Sequence, residues 1–181
     1  MLAPVPVVMV TCQDEKGKPN IITIAWTGTI CSEPPMLSIS VRPSRYSYDI
    51  IRKSGEFVVN IPSVEQAAAS DKCGVLSGRK ENKFKITGLT PLPSKTVKAP
   101  LIAECPVNLE CKVKQHIELG SHVLFLAEIT NVQVSSRLIT KDGRLALEKA
   151  GLIAFAHGNY YKLGAYLDHF GFSVRKNKRI R

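Results

Sequence analysis

The sequence predicts a mainly β protein, an antiparallel barrel or sandwich with a few short helices. Apolar and polar residues alternate at period two, most cleanly from Met36 to Arg42, where Leu37, Ile39 and Val41 face one way and Ser38, Ser40 and Arg42 the other. Such runs follow one another through turns rich in Gly, Pro and Asn, the order expected of hairpins. No Gly-rich strand-to-helix turn of the dinucleotide-binding type is present, which argues against a parallel doubly wound sheet.

Val5 to Cys12 is a β-branched run closed by a charged loop with Gly17 and Pro19, and Asn20 to Thr27 resumes as its hairpin partner. The strand from Met36 follows a Glu33-Pro34-Pro35 turn. A helix is expected from Ser44, a capping hydroxyl, to Ser54-Gly55. Tyr46, Ile50 and Ile51 give it an apolar face, and Arg52 and Lys53 sit in the last turn, where the dipole favours cations. Glu56 to Ile61 is a strand stopped by Pro62. Ser63-Val64-Glu65-Gln66 fits a capping box and opens a second helix that should end near Gly74. Residues 77–100 are polar and turn-rich, a long connection of the kind that is functional or mobile. Val107 to Lys114 alternates again, and Glu118 to Ser121 turns. His122 to Val134 is a long strand, apolar on both sides at its start and so central in a sheet. Leu152 to Ala156 is the last apolar run, after which His157-Gly158 turns the chain toward its end.

A chain of 181 residues with 44% hydrophobic and 22% charged content suits one domain with a core that needs neither disulfides nor a metal. No apolar run approaches the roughly 18 residues that cross a bilayer. The start, MLAPVPVVMVTC, lacks a basic leader and reads as a first strand rather than a signal peptide. Cys12, Cys31, Cys73, Cys105 and Cys111 form no C-x-x-C pair and read as reduced thiols of a cytoplasmic protein. Neither they nor the histidines stand at metal-ligand spacing, so no metal is expected. Net charge is +10, and five basic residues crowd residues 175–181, a tail that is either solvated or laid over a neighbouring subunit. Nucleic acid is not expected, because basic residues are not interleaved with aromatics. A small anion fits better: Arg42 and Arg45 flank a helix start beside strand ends, a common phosphate-holding arrangement.

Motifs then accumulate along the chain. Pro4-x-Pro6-Val7, Gly17-x-Pro19-Asn20, Ala25-Trp26, Pro34-Pro35 before an alternating strand, and Gly55-Glu56-Phe57-Val58-Val59-Asn60 come first. Asp71-Lys72-Cys73-Gly74, Ser77-Gly78-Arg79, Lys83-Phe84, Gly120-Ser121-His122 and His157-Gly158-x-Tyr160-Tyr161-x-Leu163-Gly164 follow. In this order, over about residues 4–174, they resemble the flavin reductase-like family and, within it, the flavoredoxin-type FMN proteins. The resemblance implies an FMN-binding split β-barrel with a Greek-key core over residues 1–174, acting as a homodimer. It implies transfer of hydride or electrons between flavin and a donor, either NADH or NADPH or a redox protein. A flavoredoxin-like carrier that passes electrons between proteins without turning over NAD(P)H is the alternative.

Carried over residue by residue, the resemblance assigns Arg42, Ser44, Arg45 and Ser47 to the FMN phosphate, which arginine can grip bidentately. Ser44 serves there, or as a cap, or as both. Ala25, Trp26, Thr27, Gly28 and Thr29 match the segment whose backbone borders the isoalloxazine; Trp26 is either a stacking residue or a core or interface one. Cys73, Ser77, Gly78 and Lys83 match a cofactor-lining segment. Cys73 has no base paired with it in sequence and reads as a pocket-wall thiol rather than a nucleophile. Arg79 either meets a nicotinamide phosphate or lies in solvent. His122 matches a histidine near flavin and nicotinamide and is the catalytic candidate, with a turn-capping role as its ordinary alternative. His157 falls near the cofactor or at the interface. No acid–base pair is required, because the flavin carries the chemistry and the protein orients and tunes it.

Overall fold

Chain order sets the architecture, which a computed structural model describes for residues 2–174; the expected basic tail, 175–181, lies outside the described residues. The strands are β1 (Val5–Pro6), β2 (Val8–Gln13), β3 (Pro19–Ile24), β4 (Thr27–Cys31), β5 (Met36–Val41) and β6 (Glu56–Ile61). They continue as β7 (Pro91–Leu92), β8 (Leu101–Ile102), β9 (Val107–Glu118), β10 (Val123–Val134), β11 (Ile153–Ala156) and β12 (Asn159–Lys162). The helices are α1 (Tyr46–Ser54), α2 (Ala67–Val75) and α3 (Lys83–Thr87). Among the described residues no helix is long and apolar enough to cross a membrane.

Seven strands form one antiparallel sheet in the order β3-β2-β6-β9-β10-β5-β4. Its two edges, β3 and β4, are separated in sequence only by Ala25 and Trp26. The sheet therefore curls until its edges face each other, and the chain steps across the gap. Ser40 N–H donates to Trp26 O at 2.9 Å and pins that step to β5. With β6 inserted between β2 and β9, the result is a Greek-key split β-barrel. Register shifts in the β9–β10 pair add the local twist such curling needs.

Inward residues of the barrel make one core that includes Val10, Ile39, Phe57, Cys111 and Phe125. Helix α1 plugs it with Tyr48, Ile50 and Ile51 and ends at Gly55, whose φ of 67° is the left-handed cap a side chain would strain. A second cluster, Met9, Ile21, Cys73, Phe84 and Ile102, lies under α2 and α3 on the other face. Strand β2 is buried on both faces, which is why its sequence lacks polar alternation.

Several expected boundaries shift for physical reasons. The run from Val5 breaks at Val7, because β1 pairs with β11 in a second sheet, and the run from Asn20 ends at Ile24, because the chain must leave one sheet edge and join the other as β4. Arg45, not Ser44, is the N-cap of α1, and no side chain caps that helix. The Ser63–Gln66 capping box forms, but around a 3-10 turn that precedes α2, while α2 ends at Val75, next to Gly74 as expected. His157-Gly158 turns into a further strand, β12, rather than into a tail.

The connection over residues 77–100 contains α3 and β7 and is fastened by buried polar groups. Just past its end, Asn60 Nδ2 donates to Met9 O at 2.9 Å, and its Oδ1 accepts from Ile102 N–H on β8 at 2.9 Å. Thr11 Oγ1 donates to Pro100 O at 2.5 Å. Glu110, fully buried, accepts at Oε2 from Lys95 N–H (2.9 Å), Thr96 N–H (2.6 Å) and Thr96 Oγ1 (2.8 Å). Its Oε1 accepts from Asn131 Nδ2 (2.7 Å) and Gln133 Nε2 (2.8 Å). Burial alone would raise the Glu110 pKa; these donors, Asn131 and Gln133 foremost, outweigh it and bring the carboxyl down to about 2.

Glu110→Ala should lower unfolding free energy by about 2–4 kcal/mol near neutral pH, through stranded donors and lost loop anchoring. A depressed folded pKa contributes stability that is present above the unfolded value of 4.5 and lost as pH falls through about 2. The wild-type advantage in urea denaturation should therefore shrink across that window. A pH-independent difference would refute the assignment.

Candidate functional site

The split between the barrel edges is where the polar and aromatic side chains collect. β3 is a sheet edge, and the β4 ladder covers β5 only from Met36 to Ile39, so Ser40 and Val41 run past it and line the opposite wall. Two cavities of about 450 and 420 Å³ lie along this seam and share Ile22, Arg42, Arg45 and Gly74. They form one continuous groove with two chemically different ends.

The polar end is built on the start of α1. Ser44, Arg45, Tyr46 and Ser47 line it, and the helix has no side-chain cap, so its leading N–H groups keep their donor capacity. Ser47 is buried, and its Oγ accepts from Asn20 Nδ2 at 2.7 Å. Cys73, Ser77, Gly78 and Lys83 close the other side. Lys83 is only 5% exposed, and its ammonium makes one hydrogen bond among the described residues, to Cys73 O at 2.6 Å. Burial pushes the Lys83 pKa down and the charge of Arg45 adds to that, a situation an anion would relieve. Burial raises the Cys73 thiol to about 11, so it stays protonated and serves as wall. A Cβ at position 78 would collide with the Asn20 amide and the Tyr46 ring, which fixes glycine there through close approach. Arg79 braces the rim: Nη1 donates to Ser44 O at 2.9 Å, and the guanidinium lies 5.6 Å from the Tyr46 ring centre.

The apolar end is lined by Ile22–Trp26, Val41, His122, Phe155 and Tyr160. Trp26 is 49% exposed and lies parallel to His122, with 3° between the ring planes and 6.4 Å between centroids. Burial lowers the His122 pKa and the charge of Arg42 lowers it further, so the imidazole is neutral at pH 7. Ser121 Oγ sits 2.9 Å from its Nδ1. Strands β11 and β12 roof this end, because Tyr160 Oη donates to Asp71 on α2 at 3.3 Å and Phe155 packs edge-on against Tyr160 at 5.4 Å.

The groove thus gathers Ala25, Trp26, Arg42, Ser44, Arg45, Ser47, Cys73, Ser77, Gly78, Lys83 and His122 from the sequence expectation. It does not gather the rest of the 25–29 segment. Thr27 donates its Oγ1 to Ser38 O at 2.7 Å, and Gly28 and Thr29 are exposed on β4, paired with Ser38 and Leu37. Thr27 and His157 instead line a smaller groove of about 260 Å³ that shares Ala25, Trp26 and Phe155 with the apolar end, with His157 at a φ of 48° in the β11–β12 turn. Asn20, Asp71, Gly74 and Tyr160 went unassigned although each stood inside a quoted motif; their roles depend on contacts between segments that no local pattern reports.

A family model described as "Flavin reductase like domain" matches residues 1–164. Flavoredoxin of Desulfovibrio vulgaris (Miyazaki F) superposes with a TM-score of 0.90 at 34% identity, covering 97% of this chain and 95% of that one. Nitrilotriacetate monooxygenase component B from Bacillus cereus gives 0.85 at 26% identity, covering 93% of this chain and 88% of that one. An uncharacterized protein of Archaeoglobus fulgidus is 42% identical over 127 residues, 70% of this chain and 71% of that protein. With the family model spanning nearly the whole barrel and the fold shared end to end with a flavoredoxin, the chain belongs to the flavin reductase-like domain family.

Proposed function

We propose that the chain binds FMN along the seam and acts as a flavin oxidoreductase, with the phosphate in the cationic cavity and the isoalloxazine in the apolar one. The observation that carries this reading is the union of the two cavities at Arg42 and Arg45. A molecule with a flat ring at one end and a phosphate at the other, joined by a short polyol, matches that order of surfaces. The buried, under-bonded Lys83 ammonium and the uncapped start of α1 are the features of the cationic end that ask for an anion.

When bound, FMN supplies the hydride or electron chemistry itself. The chain's residues have simpler tasks. Arg45, Lys83 and the first N–H groups of α1 bind the phosphate. The open backbone edge of β3 and the Ala25–Trp26 step orient the ring, and Phe155 and Tyr160 exclude water. Neutral His122 beside Trp26 offers a hydrogen-bonding edge without adding charge, suited to orienting the nicotinamide of NADH or NADPH. The free thiols, four of them buried, support a reducing, cytoplasmic setting. A second reading, an electron carrier fed by a redox protein, is favoured by the likeness to the D. vulgaris flavoredoxin.

Purified protein should carry, or take up on addition, a chromophore absorbing near about 450 nm, as oxidised flavins do. A preparation that ignores added FMN overturns the reading. Arg45→Ala should weaken FMN by about 1.5–3 kcal/mol in a fluorescence titration, the usual loss for a charged hydrogen bond. Unchanged affinity would place the phosphate elsewhere. Anaerobic mixing with NADH or NADPH separates the two readings: rapid bleaching of the flavin marks a reductase, and its absence with both donors marks a carrier. His122→Ala should slow bleaching about 10-fold or more while leaving FMN affinity within about twofold.

A further inference from the structure

Arg42 and Arg45 stand close in sequence, and the family resemblance assigns both to the phosphate. The fold separates them. Val41 pairs with Val123 at the last rung of the β5–β10 ladder, and both are core residues. One step further, the same register sets Arg42 opposite His122, on the face that turns away from the core. The chain then turns, with Arg45 N–H donating to Arg42 O at 3.0 Å, and Arg45 becomes the N-cap of α1. The electrostatics follow the same division: the arginine charge felt by Lys83 is that of Arg45, and the one felt by His122 is that of Arg42.

The cations on the walls of the seam are Arg42, Arg45 and Lys83. A phosphate monoester carries a charge of about −1.5 to −2 at pH 7, which Arg45 and Lys83 match at the cationic end. Asp71, the carboxylate on these walls, accepts from Tyr160 and forms no ion pair with any of the three. Arg42 is left over: its side chain has neither hydrogen bond nor ion pair among the described residues. We propose, on the FMN reading above, that Arg42 serves the ring rather than the phosphate. It stabilises the negative charge that reduction places on the bound flavin, and so raises the flavin's potential. A nicotinamide donor gives up a hydride, two electrons with one proton, as its C–H bond breaks and its own ring leaves as a cation. One net negative charge is thereby added to an isoalloxazine that was neutral. A cation placed beside that ring favours the charged product, more so against the apolar walls of Phe155 and Tyr160. Guanidinium suits the task because it stays charged at every working pH, whereas the neighbouring imidazole is neutral at pH 7.

Separate anaerobic titrations of the full chain with oxidised and with dithionite-reduced FMN test this, with the midpoint potential of the bound flavin read against a redox dye. Arg42 is exposed, so its replacement removes no core packing. Arg42→Met should weaken reduced FMN about tenfold while holding oxidised FMN within about twofold, a fall of about 30 mV for a two-electron couple. Arg42→Lys keeps the charge and should restore most of that fall. Arg45→Met should weaken both forms by one common factor and leave the potential where it was. A further readout needs no flavin: the His122 imidazole resonance of the apo chain should titrate at higher pH in Arg42→Met, and stay in place in Arg45→Met. Equal weakening of both flavin forms by Arg42→Met would return the residue to the phosphate and overturn the proposal. So would a potential that ignores its removal, or a His122 titration that follows Arg45 instead. A wild type that takes up FMN in neither state defeats the reading of the seam and this proposal with it, an outcome the first titration alone sets apart from the others.

Discussion

Two sheet edges face each other across the barrel without forming a ladder, and the chain that joins them is two residues long. Both cavities of the candidate site lie along that gap. Edge strands present unpaired N–H and C=O groups that ordinarily recruit another strand. Here the exposed edge of β3 is turned inward against the bare end of β5, with α1 beneath and α2 alongside. The edge thus becomes the wall of a groove rather than a site of aggregation. Had β4 paired with β5 beyond Ile39, the ladder would have covered Ser40 and Val41 and filled the apolar cavity. The Ser40–Trp26 hydrogen bond holds the crossing in place and fixes where the split begins.

Two buried charges show how the same fold separates structure from function. Glu110 is surrounded by donors from two segments, its lone pairs are spoken for, and its charge is favoured over the neutral acid. A group so well satisfied has nothing left to offer a ligand; it ties the long connection to β9 and β10. Lys83 is comparably buried, yet it has one hydrogen bond, a cationic neighbour in Arg45 and no carboxylate within ion-pairing distance among the described residues. An ammonium in that condition is costly on its own. Local rules are broken in this way where a protein reserves an interaction for something it binds.

The sequence made the hairpins, the α1 and α2 patterns and the basic helix start legible, because each depends on periodicity or on residues a few positions apart. The break at Ala25–Trp26 was not visible in this way. Asn20 to Thr27 reads as one strand by every local criterion, and only closure of the barrel forces it to change edges. Ser44 looked like a cap because its hydroxyl precedes an apolar face, but the backbone turns one residue later and Arg45 takes the position. Residues 77–100 read as functional or mobile because their anchors, Thr11 and Glu110, lie on distant strands. Arg45 and Lys83, each inside or beside a matched motif, come together in one cavity from segments about 40 residues apart. Gly28 and Thr29 lie on β4, in its ladder with β5, outside the two seam cavities.

Trp26 is where these constraints meet. As the second residue of the crossing it cannot move along the sheet, because its carbonyl is held by β5. Its indole is therefore free mainly to rotate about its side-chain bonds, and a rotation would shift the wall shared by the ring cavity and the apolar groove. The parallel setting against His122, at 6.4 Å, lies near the wide end of the range for stacked rings. Contact with the imidazole alone holds it weakly. Any group packed on the groove side would bear on the rotamer that the apolar end of the seam sees, because Trp26 lines both cavities.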